Sequence, residues 1–161
     1  MTLKTTLHPS EVAIATLLGK ERYRVNREAG VKDNTTKVDP EHVHVNGALG
    51  ELCASKILNL SMDLSTHPRS GGEDFKLHLG TTIDVKTITT PTHRLLVPRK
   101  GKHDCELYIL VWWHDDTRTG TMFGYAHHDQ IIQPDKIDET LDRPAYAMRS
   151  HELRSCDWML P

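Results

Sequence analysis

The chain has 161 residues, of which 37% are hydrophobic and 26% are charged, and these values are typical of one globular domain with a buried core. Its net charge of −2 argues against a protein that coats nucleic acid without specificity, although it is compatible with a local basic groove. No apolar stretch reaches about 18 residues and the N-terminus lacks a secretory signal, so we expect a cytoplasmic protein without a membrane span.

Cysteine usage agrees with that compartment. Cys53, Cys105 and Cys156 are odd in number, widely spaced and without a Cys-x-x-Cys pair. This pattern disfavours a disulfide framework and a zinc site, and we expect buried free thiols.

The first predicted element is a helix that begins after Ser10, which is a suitable N-cap, and continues to about Ala29. Gly30 then supplies the residue that ends it. The second half of this helix carries four cations: Lys20, Arg22, Arg24 and Arg27. These cations form either a solvated helix face or a set of contacts to phosphates.

A second helix is predicted over residues 40–59, with Asp39 as its N-cap and a proline at its first position. Four residues recur at the spacing of a buried stripe, namely Val45, Leu49, Leu52 and Cys53. Glu51 lies off this stripe among small residues such as Ala48 and Ala54. Small neighbours allow another surface to approach closely, so Glu51 is a candidate functional group.

Residues 73–90 are predicted to form a β-hairpin, because apolar and polar residues alternate on either side of a central glycine. We expect Leu77 to lie opposite Ile83 and Phe75 opposite Val85, which places all four apolar side chains on one face.

The same register brings polar side chains together on the other face of the hairpin, with Asp74 opposite Lys86 and Lys76 opposite Asp84. Two carboxylates that lie about one hairpin width apart can hold a hard divalent cation such as Mg²⁺. A lysine beside the ion can orient a water molecule or neutralise charge on a phosphate. The alternative is a solvated hairpin face with one cross-strand ion pair.

A basic, turn-rich connection is predicted after the hairpin, over residues 91–103. Its cations include Arg94, Arg99, Lys100 and Lys102. This segment either contacts a phosphate backbone next to the carboxylates or forms a mobile surface loop.

The remaining elements follow from apolar runs and turn residues. Residues 106–113 are almost continuously apolar, which is typical of a central strand covered on both faces. We then expect a turn over 115–120, a strand over 121–126, a helical turn over 127–132, a short closing strand over 146–148 and a capped helical turn over 150–153.

The order helix, helix, hairpin, central strand and strand, with an acid on the second helix followed by Asp and then Asp-x-Lys, resembles the PD-(D/E)xK nuclease superfamily. The likeness is closest to its small single-domain members, many of them found in phages and other mobile elements. It covers about residues 40–126, and the matching motif positions are Glu51, Asp74, Asp84 and Lys86. Glu73 stands where the family name has proline, a departure that is common among relatives.

The resemblance implies a single domain over residues 1–161 in the α/β class. Its fold would be a restriction-endonuclease-like core in which helices flank a central mixed sheet of about four to five strands. It further implies that Asp74, Asp84 and the backbone carbonyl of Val85 bind Mg²⁺ or Mn²⁺. Glu51 would bind a second ion or fix a water molecule, and Lys86 would position the water that attacks the phosphate.

The function expected from these residues is metal-dependent hydrolysis of DNA phosphodiester bonds. DNA would be the partner, contacted by Arg94, Arg99, Lys100 and Lys102, and a homodimer or a targeting protein would fit the small size. Two alternatives stay open. One is a non-catalytic DNA-binding relative, and the other is an interaction protein, such as a phage-encoded modulator of a host enzyme, that uses the Trp pair at 112–113 and the basic loop as its contact surface.

Overall fold

A computed structural model describes residues 2–32, 38–68 and 72–160. Its helices and strands form where the sequence supplies hydrophobic periodicity and capping residues. They are β1 (Leu3–Thr6), α1 (Pro9–Glu28), α2 (Pro40–Leu58), β2 (Phe75–Lys76), β3 (Thr82–Ile88), β4 (Leu95–Pro98), β5 (Leu107–His114), β6 (Thr119–His127), α3 (His128–Ile131), β7 (Ile137–Asp138) and β8 (Ala145–Met148). Single 3₁₀ turns lie at Pro134–Lys136, Ser150–Glu152 and Asp157–Met159. The predicted loops over 31–38 and 60–72 lie partly outside the described residues.

Five strands form a mixed sheet in the order β1-β6-β5-β3-β2. The strands β3 and β5 are parallel, and the other neighbours are antiparallel. The middle position of β5 agrees with its apolar sequence, and Leu107 to Val111 are all buried. The strands β4, β8 and β7 form a second, antiparallel sheet. The protein is therefore a mixed α/β protein, as its class was predicted.

The helix α2 covers one face of the large sheet, and α1 packs against α2. Two glycines of this layer allow close contact. A Cβ atom on Gly19 would lie 2.5 Å from the Cα atom of Val45, and one on Gly50 would overlap the side chain of Thr87 in β3. Gly50 thus brings the adjacent residue, Glu51, close to the sheet.

The opposite face of the large sheet is covered by the second sheet and α3 rather than by a long helix. Ile88, Tyr108 and Leu110 of the large sheet pack there against Leu95 of β4 and Ile131 of α3. Both faces of β3 and β5 are therefore covered, and the side chains of β3 alternate between two separate apolar clusters.

The predicted hairpin register is wrong by two residues. Phe75 pairs with Ile83 and Lys76 with Thr82. The turn between the strands is shorter than predicted, because the N–H of Leu77 donates a hydrogen bond to the carbonyl of Thr81. Asp74 therefore lies opposite Asp84 rather than Lys86, and Lys76 forms an ion pair with Glu73 rather than facing Asp84. A shift of two residues keeps every side chain on its predicted face.

Three strands lie where none was predicted, and the shortest of them is β7, which pairs with β8. Four residues near the N-terminus form β1, in which Leu3 pairs with Met122 of β6. Leu95 and Val97 are buried in β4, within the segment interpreted as a basic connection.

The N-cap of α1 is His8 rather than the predicted Ser10. Its ring Nδ1 accepts a hydrogen bond from the N–H of Ser10, and Glu11 accepts one from the N–H of His8. Asp39 caps α2 as predicted. Within the three described ranges, none of the helices has the length and apolar character needed to cross a membrane.

Candidate functional site

Asp74 directly precedes β2 and lies at the open edge of β3. Its carboxylate accepts a hydrogen bond of 2.8 Å from the N–H of Val85. The N–H and C=O groups of one strand residue point towards the same neighbour, so the carbonyl of Val85 is directed to this edge as well. Because β2 has only two residues, Asp74 occupies the position that a longer partner strand would fill.

Asp84 and Lys86 lie two residues apart on β3 and share one face of the sheet. Their side chains form an ion pair of 2.7 Å, and these side chains are 17% and 31% exposed. Strand geometry places such residues side by side, so the Asp-x-Lys spacing brings the ammonium group directly to the carboxylate.

Glu51 is buried on α2 and is bound by Arg22 of α1. The Arg22 Nη1 atom lies 2.7 Å from Glu51 Oε2, and the two side chains are 9% and 11% exposed. Arg22 also donates to the backbone carbonyl of Asp63 at 2.6 Å. The interpretation of Arg22 as part of a solvated or phosphate-binding face is therefore wrong, because its guanidinium is buried against a carboxylate.

The charges of Glu51 and Asp84 both act on the carboxyl group of Asp74. Burial raises the pKa of Asp74 well above its usual range, and the negative charges of Glu51 and Asp84 raise it further. Burial lowers the pKa of Lys86, but the charges of Asp84 and Asp74 outweigh this effect, so its pKa is raised. We call Glu51, Asp74, Asp84 and Lys86 the acidic site, in which Asp74 lies opposite Asp84 and Lys86 forms an ion pair with Asp84.

Tyr108 and Cys105 adjoin the acidic site and were missed by the sequence reasoning. Tyr108 lies beside Asp84 in the parallel β3–β5 register, and its buried hydroxyl has no hydrogen-bond partner among the described residues. Burial, followed by the charge of Asp84, raises the pKa of Cys105 to about 12. Only the parallel pairing of β3 with β5 would have identified these neighbours.

The donor types of the acidic site fit a hard divalent cation. Carboxylates of Glu51, Asp74 and Asp84 and the carbonyl of Val85 supply oxygen ligands, which Mg²⁺ and Mn²⁺ prefer. Within residues 2–32, 38–68 and 72–160, however, no three His, Cys, Asp or Glu side chains are placed to hold a metal ion. The ammonium of Lys86, 2.7 Å from Asp84 Oδ2, occupies the place beside this carboxylate that a cation would take.

The cations after the hairpin are held in place to different degrees. Arg94 donates to Asp138 at 2.5 Å, and Arg99 donates to Glu139 at 2.9 Å, so both anchor β4 to the segment that contains β7. Lys100 and Lys102 are exposed beyond the end of β4. The two arginines thus flank an ordered strand, whereas the two lysines lie in the exposed segment after it.

The Trp pair cannot act as one exposed contact surface. Trp113 is only 1% exposed and packs in the core between the large sheet and the helices. Trp112 is half-buried and stacks on Phe123 with an interplanar angle of 7°. The predicted contact surface therefore loses one of its two aromatic residues.

The sequence profile of a family of unknown function, DUF5843, matches residues 2–119. This span contains α1, α2 and the strands β1 to β5, and it includes all four residues of the acidic site. No curated protein and no solved structure matches the chain. Because the match covers most of its length, the chain belongs to the family of unknown function DUF5843.

Proposed function

We propose that the protein is a metal-dependent deoxyribonuclease that hydrolyses phosphodiester bonds and has a restriction-endonuclease-like core. The observation that carries the proposal is the position of Asp74, which is within reach of the charges of both Glu51 and Asp84. Clustered carboxylates with a strongly shifted pKa are costly for folding and are common where a cation and a substrate bind.

The arrangement of elements supports the same proposal. The acid on α2, the β2–β3 hairpin with its Asp-x-Lys triplet, and the apolar strand β5 follow one another as in the superfamily that the sequence resembles. The parallel pairing of β3 with β5 fixes Asp84 and Lys86 next to the centre of the sheet. Rigid strands hold functional side chains more accurately than loops do.

Each residue of the site has a role in this proposal. Asp74 and Asp84, with the carbonyl of Val85, would hold Mg²⁺ or Mn²⁺, and Glu51 would hold a second ion or fix a water molecule. A bound ion supplies a Lewis acid that stabilises the negative charge on the phosphoryl oxygens. Lys86 donates a hydrogen bond that orients the attacking water, and its charge faces the phosphate.

The test is incubation of the native protein with linear, circular and branched DNA, in Mg²⁺, in Mn²⁺ or in a chelator. We expect cleavage only with an ion present, and a loss on the order of 10²–10³-fold in Asp84→Asn and in Lys86→Met. Asp116→Asn and Lys4→Met change exposed residues outside the site and serve as matched controls with native activity. Undiminished cleavage by Asp84→Asn would contradict the proposal.

A further inference from the structure

A groove of about 1000 Å³ opens beside the acidic site, and Lys86 is one of its lining residues. Its walls come from the start of α2, the C-terminal half of β3, the segment that leads into β4 and residues 149–151. Lys86 thus belongs both to the acidic site and to this groove, so a ligand lying in the groove reaches the proposed catalytic centre.

The charged side chains that line the groove are cations. Lys86, Arg94 and Arg149 line it together with two histidines, and none of its described lining residues is acidic. Lys86 is paired with Asp84 and Arg94 with Asp138, and both carboxylates lie outside the lining. Arg149 forms no ion pair within the part of the chain that the structure describes. This arrangement suits a ligand that carries several negative charges.

The groove also has an apolar wall that faces water. Val38, Val43 and Leu96 line it and are 51%, 44% and 37% exposed. His93 and His151 add two imidazole rings to the lining. Apolar side chains exposed together usually mark a surface that a ligand covers, so the occupant has apolar faces as well as charges.

We propose that this groove binds a single-stranded segment of DNA and leads it to the acidic site. The inference rests on the proposed function for the choice of DNA. Phosphates would contact Lys86, Arg94 and Arg149, and base faces would cover the apolar wall and the imidazoles, as in grooves that bind single strands. Duplex DNA stacks its bases inside and presents mainly phosphates and groove edges, so it would leave the apolar wall uncovered.

The test measures binding in a chelator, which separates affinity from cleavage. Fluorescence anisotropy compares a labelled single strand of about 12 nucleotides with a duplex of the same length. We expect the single strand to bind at least about 10-fold more tightly. In Arg149→Ala, the slope of log K against log salt should become shallower by about 0.7, the value for one phosphate contact on a single strand.

Three further variants make the test specific. Leu96→Ser should weaken single-strand binding about 3- to 10-fold and leave duplex binding unchanged. Arg149→Lys keeps the charge and should retain the native salt slope. Arg27→Ala removes an exposed cation on α1, outside the groove, and should bind as the native protein does. Thermal unfolding of every variant checks that the fold is retained.

The outcomes separate this inference from the proposed nuclease function. Equal affinity for single strand and duplex, or unchanged single-strand binding in both Arg149→Ala and Leu96→Ser, would overturn the groove assignment whether or not the protein cleaves DNA. Tight single-strand binding that depends on Arg149 and Leu96 would support the groove even if no DNA is cleaved with any ion. Absence of ion-dependent cleavage would count against the nuclease proposal alone.

Discussion

The guanidinium of Arg22 joins the carboxylate of Glu51 to the backbone carbonyl of Asp63, at 2.7 and 2.6 Å. One side chain of α1 therefore fixes both the carboxylate of Glu51 on α2 and the segment that follows α2. Because both charged groups are buried, each compensates for the desolvation of the other.

Replacing only Arg22 should destabilise the fold strongly. Arg22→Met leaves the charge of Glu51 buried with its main partner removed, and we expect a loss of about 3–5 kcal/mol in the free energy of unfolding. The double variant Arg22→Met/Glu51→Leu removes both charges and should recover most of this loss. Urea denaturation of the two variants measures the difference, and equal stability of the two would contradict a buried ion pair.

Divalent ions should stabilise the protein even where no DNA is present. An ion that binds the folded state alone raises the free energy of unfolding by about 2.7 kcal/mol at a concentration 100 times its dissociation constant. We expect Mn²⁺ or Mg²⁺ to raise the midpoint temperature of thermal unfolding in the native protein and not in Asp74→Asn or Asp84→Asn. Asp116→Asn, on the exposed β5–β6 turn, should respond as the native protein does.

Two glycines of α2 should respond in opposite directions to the same change. Gly50→Ala places a methyl group against Thr87, and overpacking of this kind costs about 1–3 kcal/mol. Gly47→Ala meets no atom of the described residues within 4 Å and should stabilise the helix by about 0.5–1 kcal/mol. Denaturant midpoints of both variants test this contrast, and a stabilised Gly50→Ala would show that the helix does not approach β3 so closely.

Asp138 should make the stability of the protein depend on pH in acid. Hydrogen bonds from the side chain of Thr140, then the guanidinium of Arg94, lower the pKa of Asp138 from 3.8 to about 2. The ionised form of Asp138 is thus favoured in the folded state. Its contribution to the free energy of unfolding is therefore complete above about pH 4 and is lost as the pH falls towards 2. Between pH 5 and 2, the midpoint temperature of thermal unfolding should fall less steeply in Asp138→Asn than in the native protein.

Local sequence patterns were sufficient to locate most of the helices and strands. Of the four residues predicted for the buried stripe of α2, Val45, Leu49 and Cys53 are buried and Leu52 is half-buried, and Glu51 beside them is buried as well. The hairpin faces were right although the register was wrong, since a shift of two residues preserves alternation. The cause of the error was Leu77, which was assigned to the strand but begins the turn.

The features that were missed depend on contacts between distant residues. Arg22 and Arg24 look alike in the sequence, yet Arg24 pairs with Glu21 and Glu28 on the surface, whereas the partner of Arg22 is on another helix. The strand β4 has too few apolar residues to be identified from its own sequence, and it is recognised only through its pairing with β8. Periodicity within one segment carries no information about such partners.

The pairing of Leu3 with Met122 sets the order in which the large sheet can be completed during synthesis. At translation rates of about 5–20 residues per second, the N-terminal strand waits roughly 6–24 seconds for its partner to be made. Until then the β6 edge that receives it does not exist, and the side chains of residues 3–6 have no sheet to join. Residues 3–6 therefore join the sheet only after β6 has been made.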